Sequence, residues 1–204
     1  MNKPNAISHE SHPDTHHDAY SKTVFGFWVY LLTDFVLFGT LFASYAVLRN
    51  STFGGPSASQ LFDLHSVLER TLVLMTSSLM VGLAGASAHR RKKTMAICLF
   101  GATFLLGVLF MGMQFQEFQN LISSNNGWAR SGFLSAYFTL LGTFGIHVVF
   151  GLLWILVLVI PILFNEINGV AIRRLTCMRM FWQFLNVIWI FIFTFVYLLG
   201  GRAV

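Results

Sequence analysis

The chain has 204 residues, a formal net charge of +5, and only 10% Asp, Glu, Lys and Arg against 55% hydrophobic residues. Soluble domains carry roughly 25% charged residues, so this balance excludes a disordered chain, argues against a water-soluble globule and points to a membrane protein. Two cysteines, Cys98 and Cys177, are too few for a disulfide framework.

In chain order, residues 1–22 are polar, hold four of the seven histidines and contain no apolar run. They read as a mobile cytoplasmic tail rather than a secretory signal, which needs a short apolar core. The remaining 23–204 form one membrane domain. Apolar segments cover about 24–48, 66–88, 95–114, 133–160 and 180–200. Each reaches the ~20 residues that cross ~30 Å of hydrocarbon at 1.5 Å per residue. Backbone groups in lipid must be satisfied within the segment, and runs this long lack the alternation of a barrel strand. The expected fold is therefore all-α, a bundle of five transmembrane helices. Gly54, Gly55 and Pro56 mark the first connection, Asn125 to Gly127 the third, and Asn165 to Arg179 the fourth.

Five spans place the termini on opposite sides. Nine basic residues (Lys3, Lys22, Arg90, Arg91, Lys92, Lys93, Arg173, Arg174 and Arg179) fall on the N-terminal side, and four (Arg49, Arg70, Arg130 and Arg202) on the other. The positive-inside bias then puts the N-terminus in the cytoplasm and the C-terminus outside. The cluster Arg90, Arg91, Lys92, Lys93 lies at headgroup level, where it sets topology and attracts anionic lipid. Tyr20, Trp28, Trp128 and Trp182 read as interfacial anchors. Gly82, Gly85, Ala86, Gly142 and Gly145 read as close-packing positions between helices.

Ionisable groups in hydrocarbon are costly and face protein or water. Asp34 lies deep in the first span, Glu69 near the outer end of the second beside Arg70, and Glu117 beyond the third. His147 is in the middle of the fourth, and Asn186 with Gln183 opens the fifth. Two readings stay open for them: a proton path or polar lipid contact, and interhelical hydrogen bonds. A haem or copper site needs several ligands at one depth. Only His147 lies within a span, and no phosphate loop or nucleophile elbow occurs, so no cofactor or metal bound by this chain is expected. No internal repeat and few prolines weigh against a transporter of inverted halves.

Specific strings carry a resemblance. They are FGFWVYLLTDFVLF (25–38), GGPSASQLFDLHSVLERTLVLMTSS (54–78), MGMQFQEF (111–118), RSGFLSAYFTLLGTFGIHVVFGLLW (130–154) and FWQFLNVIWIFIFTFVYLLG (181–200). In order and spacing, from Val24 onward, they resemble subunit III of haem–copper terminal oxidases, in particular the five-helix form of cytochrome o ubiquinol oxidase. The resemblance implies a non-redox companion of subunit I, which holds the haems and copper, within a proton-pumping quinol oxidase of aerobic respiration. It implies subunits II and IV as further partners, phospholipid in a cleft between helix groups, a bacterial inner membrane and no nucleic acid. Asp34 matches the family's first-span acid, Glu117 the acid of the third, and His147 the fourth-span histidine. Phe144 stands where a second histidine is usual, and Gln183 and Asn186 stand where a His and an Asp are usual. A small membrane transporter or proton channel using Asp34, Glu69 and Glu117 is the competing reading, and a haem enzyme is a third.

Overall fold

The computed structural model describes residues 15–54, 61, 63–164, 166 and 168–200. Residues 1–14 of the expected tail lie outside them. The described residues form five long helices and no strand. Helix α1 spans Thr15–Leu48, α2 Leu64–His89, α3 Lys93–Ser123, α4 Gly132–Phe164 and α5 Gly169–Ile192, the last continuing as a π-helical stretch, Phe193–Leu198. All five are long and apolar enough to cross a membrane.

Several boundaries differ from the expected ones. Helix α1 begins inside the stretch read as a polar tail, and α3 runs on to Ser123 rather than stopping at Gln114. Helix α5 starts at Gly169 and takes in Arg173, Arg174 and Arg179, which were expected in a loop. Apolarity marks only the hydrocarbon slab, whereas a helix satisfies its own backbone and continues into the headgroups, where long cationic side chains bend toward water. Pro161 falls inside α4, in its last turn.

The α2–α3 pair is the most extensive. Helices α4 and α5 pack on each other in the centre, with α1 against both on one flank, α2 against α5 and α3 against α4 on the other. Three residues make the α2–α3 turn. Arg91 takes a left-handed φ of 55°, and the amides of Arg90, Arg91 and Lys92 bond back to the carbonyls of Ala86, Ala88 and Ser87. Lys93 Nζ donates to Leu163 O at 3.1 Å, tying this turn to the end of α4. The basic cluster is thus partly structural: Arg90, Arg91 and Lys92 are exposed, and Lys93 holds a helix end.

Apolar side chains gain little from leaving lipid for protein, so close packing and hydrogen bonds must hold the bundle. Trp182 shows how. It is 1% exposed, not interfacial as expected, because its indole lies in a slot between Gly107 of α3 and Gly151 of α4. A Cβ at Gly107 would come within 2.8 Å of Trp182 Cη2 and 2.7 Å of Leu152 Cδ2. Its Nε1 donates to Ser77 Oγ of α2 at 2.9 Å. One tier on, Trp189 Nε1 donates to Thr71 Oγ1 at 3.0 Å. Trp28 and Trp128, by contrast, are exposed as anchors should be.

Candidate functional site: two intramembrane polar clusters

The end of the bundle away from Arg90–Lys93 holds the larger cluster. Asp63 caps α2, accepting from His65 N at 3.2 Å, Ser66 N at 3.4 Å and Ser66 Oγ at 2.8 Å. The Ser66 hydroxyl, then the His65 amide, hold its carboxyl below the ordinary 3.8. Two turns on, Arg70 is 3% exposed. It donates from Nε to Ser66 O at 3.3 Å and from Nη1 to Gln114 Oε1 at 3.1 Å, and pairs with Glu117. Gln114 Nε2 donates to Glu117 Oε2 at 3.2 Å, and Tyr197 Oη donates to the same oxygen at 3.3 Å. Tyr197 Oη is in turn 3.0 Å from Tyr137 Oη. Arg70 also stands over the Tyr197 ring, 5.8 Å from its centroid.

The π-helical stretch makes this possible. At ~100° per residue, Tyr197 would lie ~80° around an α-helix from Trp189. The wider turn, closed by Leu199 N to Thr194 O at 2.9 Å, adds one residue and returns Tyr197 to the face that meets α2 and α3. A buried charge requires a partner and further hydrogen bonds, and here α2, α3, α4 and the π-helical stretch supply them. Above the pair opens a polar cleft of about 570 Å³ lined by Asp63, Ser66, Glu69, Arg70, Gln116, Glu117 and Asn120.

Glu69 lines that cleft but is not part of the network. It pairs with the exposed His65 at 3.3 Å. Arg70 therefore neutralises Glu117, not its sequence neighbour. Asn186 is buried, but its Nδ2 bonds to Trp182 O at 3.1 Å on its own helix.

Asp34 and His147 make the second cluster, between α1 and α4. His147 Nε2 is 3.9 Å from Asp34 Oδ1, and its Nδ1 is 2.8 Å from Thr143 O. Among the described residues, none gives the buried Asp34 Oδ2 a hydrogen bond. The two clusters do not meet. Phe144 lies between Phe38, Phe110 and Trp189, at centroid distances of 6.4, 6.0 and 5.3 Å, and these rings form an aromatic layer across the bundle. Asp34, Glu69 and Glu117 are thus not brought together. Among the described residues no three or more His, Cys, Asp or Glu side chains converge as a metal set would.

On the basic side, a cleft of about 520 Å³ opens between α1, α4 and α5. Phe27, Tyr30 and Trp154 wall it, and Arg173, Arg174 and Cys177 line it from α5. Sequence reasoning counted these arginines only as topology. Their spacing from Trp154 is legible only once α5 is known to begin at Gly169.

The sequence model of the family described as cytochrome c oxidase subunit III matches residues 5–201. The chain is 48% identical to the cytochrome bo(3) ubiquinol oxidase subunit 3 of Pseudomonas aeruginosa, over 98% of this chain and 97% of the relative. It is 46% identical to the protein of the same name from Pseudomonas putida, over 90% and 89%. It is also 42% identical to the cytochrome c oxidase subunit 3 of Bacillus sp. PS3, over 86% and 84%.

Proposed function

The chain belongs to the cytochrome c oxidase subunit III family, and from that membership we propose that it is the non-redox accessory subunit III of a proton-pumping haem–copper ubiquinol oxidase in aerobic respiration. Its place is against subunit I, which holds the haems and copper, in one complex with subunits II and IV. The observation that carries this reading is the near end-to-end match to quinol-oxidase subunits, at 48% identity over 98% of the chain. The complex sits in a bacterial inner membrane, with Arg90–Lys93 on the cytoplasmic side, in keeping with the nine-to-four distribution of basic residues.

The cleft between α1, α4 and α5 suits phospholipid. Arg173 and Arg174 offer guanidinium forks to a phosphate, and the rings of Phe27, Tyr30 and Trp154 offer a wall to its acyl chains. Asp34, Glu69, Glu117, His147 and Asn186 serve helix and lipid contacts in this reading, not electron transfer.

The test is to purify the tagged chain from native membranes. It should bring down a haem-bearing quinol oxidase, and deleting its gene should lower the amount of assembled oxidase. Recovery without haem, together with normal oxidase assembly in the deletion strain, would overturn the assignment.

A further inference from the structure

Toward the basic end of the bundle, the outer face of α5 carries two polar side chains that this chain leaves unanswered. Arg179 lies half-exposed at the seam between α5 and α2. Gly85 of α2 makes room for it: a Cβ there would come within 2.7 Å of Arg179 Cδ and 3.1 Å of its Nη1. The Nε of Arg179 is buried, and none of the described residues accepts a hydrogen bond from it. Nor does a described carboxylate pair with the guanidinium. One turn on, along the same face of α5, the Gln183 side chain is exposed. Its Nε2 is 3.9 Å from where a Cβ of Gly82 would stand. Among the described residues nothing hydrogen-bonds its amide.

Depth and chemistry decide what answers them. Measured along α2 from Arg90, Gly85 lies ~8 Å and Gly82 ~12 Å into the bundle. In a core ~30 Å thick, Gln183 therefore stands among acyl chains. A lipid phosphate stays at the surface and acyl chains accept no hydrogen bond, so lipid leaves that amide unsatisfied. A neighbouring transmembrane helix supplies side chains at both depths. Arg179 calls for a carboxylate on it, because a guanidinium taken out of water is stabilised by an opposite charge with matching hydrogen bonds. A second copy of this chain has none to offer there. Of its acids only Asp34, Glu69 and Glu117 lie within the spans. Glu69 and Glu117 sit at the opposite end of the bundle, and Asp34 faces His147. The surface also admits a close neighbour. Gly82 is half-exposed and Ala86 exposed, and small residues let a second helix approach to ~8 Å between axes.

We propose that the outer face of the α2–α5 seam docks a transmembrane helix of a companion subunit, with an Asp or Glu of that helix against Arg179 and, one turn deeper, a side chain that bonds the Gln183 amide. The two depths set the partner's pattern. Four residues rise ~6 Å, so its acid and its amide-bonding residue stand at i and i+4 or i and i−4, according to the direction in which it runs. Gly82 and Ala86 receive the partner's backbone between them, and the exposed Val187 continues the contact toward mid-membrane. The charge fixes register as much as affinity, because a helix slid by one turn would leave both Arg179 and its own acid unpaired. This deepens the assignment above by naming the face and the chemistry of the partner.

The experiment places the photoreactive residue p-benzoylphenylalanine at Ala86, or at Val187 should the first variant accumulate poorly. The full chain is irradiated in native membranes, and mass spectrometry identifies the crosslinked peptide. The expected peptide is a transmembrane segment of another protein with Asp or Glu within one turn of the crosslink. Crosslinks to lipid alone, or to a second copy of this chain, would overturn the proposal. The charge is tested on the complex purified through detergent exchange. Arg179→Glu should lower retention of the crosslinked subunit several-fold, and Gln183→Leu should lower it less. Changing the partner's acid to Arg in the Arg179→Glu background should restore it. Native retention in both single variants, or no recovery on the exchange, would also overturn it. The two readings fail separately. A crosslink to an acid-bearing helix of a complex without haem keeps this proposal and overturns the oxidase assignment, whereas a haem-bearing oxidase with no protein crosslink from this seam does the reverse.

Discussion

Arg70 of α2 and Glu117 of α3, forty-seven residues apart, form a buried ion pair that Gln114, Ser66 and Tyr197 complete. Arg70 is 3% exposed and the Glu117 side chain 16%. Removing one partner leaves the other charged in a poor solvent. Arg70→Met should therefore cost about 3 kcal/mol, the lower end of what breaking buried pairs costs. Arg70→Met with Glu117→Gln should recover most of that loss. Arg70→Lys should fall between, since a lysine cannot reach Ser66 O, Gln114 and Glu117 together as the fork does. Thermal melting of the purified complex, followed by loss of this chain, checks the order.

The Trp182 slot makes a sharper test, because its two sides can be changed separately. Gly107→Ala puts a methyl within 2.8 Å of the indole, overpacking that costs about 1–3 kcal/mol. Trp182→Phe removes the atoms it strikes but also the bond to Ser77, worth about 0.6 kcal/mol within membranes. If the slot is shaped for the indole, the double variant should be more stable than the sum of the two losses predicts, a coupling above about 0.5 kcal/mol. Strict additivity in the melting temperatures would show that Leu152, not Trp182, absorbs the methyl.

The Asp63 cap gives a pH dependence whose direction is set. Its carboxyl is held below the ordinary value by Ser66 and the His65 amide, so ionised Asp63 stabilises the start of α2. That contribution is present above the unfolded carboxylate value of about 3.8 and is lost as pH falls through the lower folded value. The protection of the Ser66 and Val67 amides, their exchange measured against the intrinsic rate at each pH, should be flat near neutral pH and fall only in acid. Asp63→Asn should keep the cap and remove the acid step, and Asp63→Ala should lower the protection at every pH.

How much of this was legible in the sequence follows from what each residue reports. Hydropathy marks where a chain meets hydrocarbon, and so it located five spans but placed the start of α5 at 180, past three arginines that the helix takes in, one of which, Arg179, packs against Gly85 of α2. Asp34 and His147 stood out as titratable groups at depth, and the structure sets them 3.9 Å apart. The partner of Glu117 did not stand out. Arg70 is adjacent to Glu69 in sequence, yet neighbours on a helix point ~100° apart, and only the packing of α2 on α3 decides which acid it meets. Trp182 illustrates the same limit: a tryptophan near a hydropathy edge reads as an anchor until the helix is found to extend eleven residues further back, from 180 to 169. The π-helical turn that aligns Tyr197 leaves no pattern in composition at all.

Phe144 is where the family resemblance led one to expect histidine, and the packing explains the exchange. It is 1% exposed, and its ring contacts Phe38, Phe110 and Trp189, with no hydroxyl, amide or carboxylate among those neighbours. The indole N–H of its neighbour Trp189 is already committed to Thr71. One imidazole nitrogen of Phe144→His could bond the carbonyl four residues back, as His147 does, but the other would be buried among rings, at about 1–3 kcal/mol for an unsatisfied polar group. The variant would also lose part of the edge-to-face contact with Phe110. Phe144→Leu loses only the ring contacts and should be the milder change. Melting of the purified complex should rank native above Phe144→Leu above Phe144→His. If the histidine variant melts with the native protein, a donor or acceptor reaches this layer, and the aromatic barrier between Asp34–His147 and Arg70–Glu117 is open to polar groups.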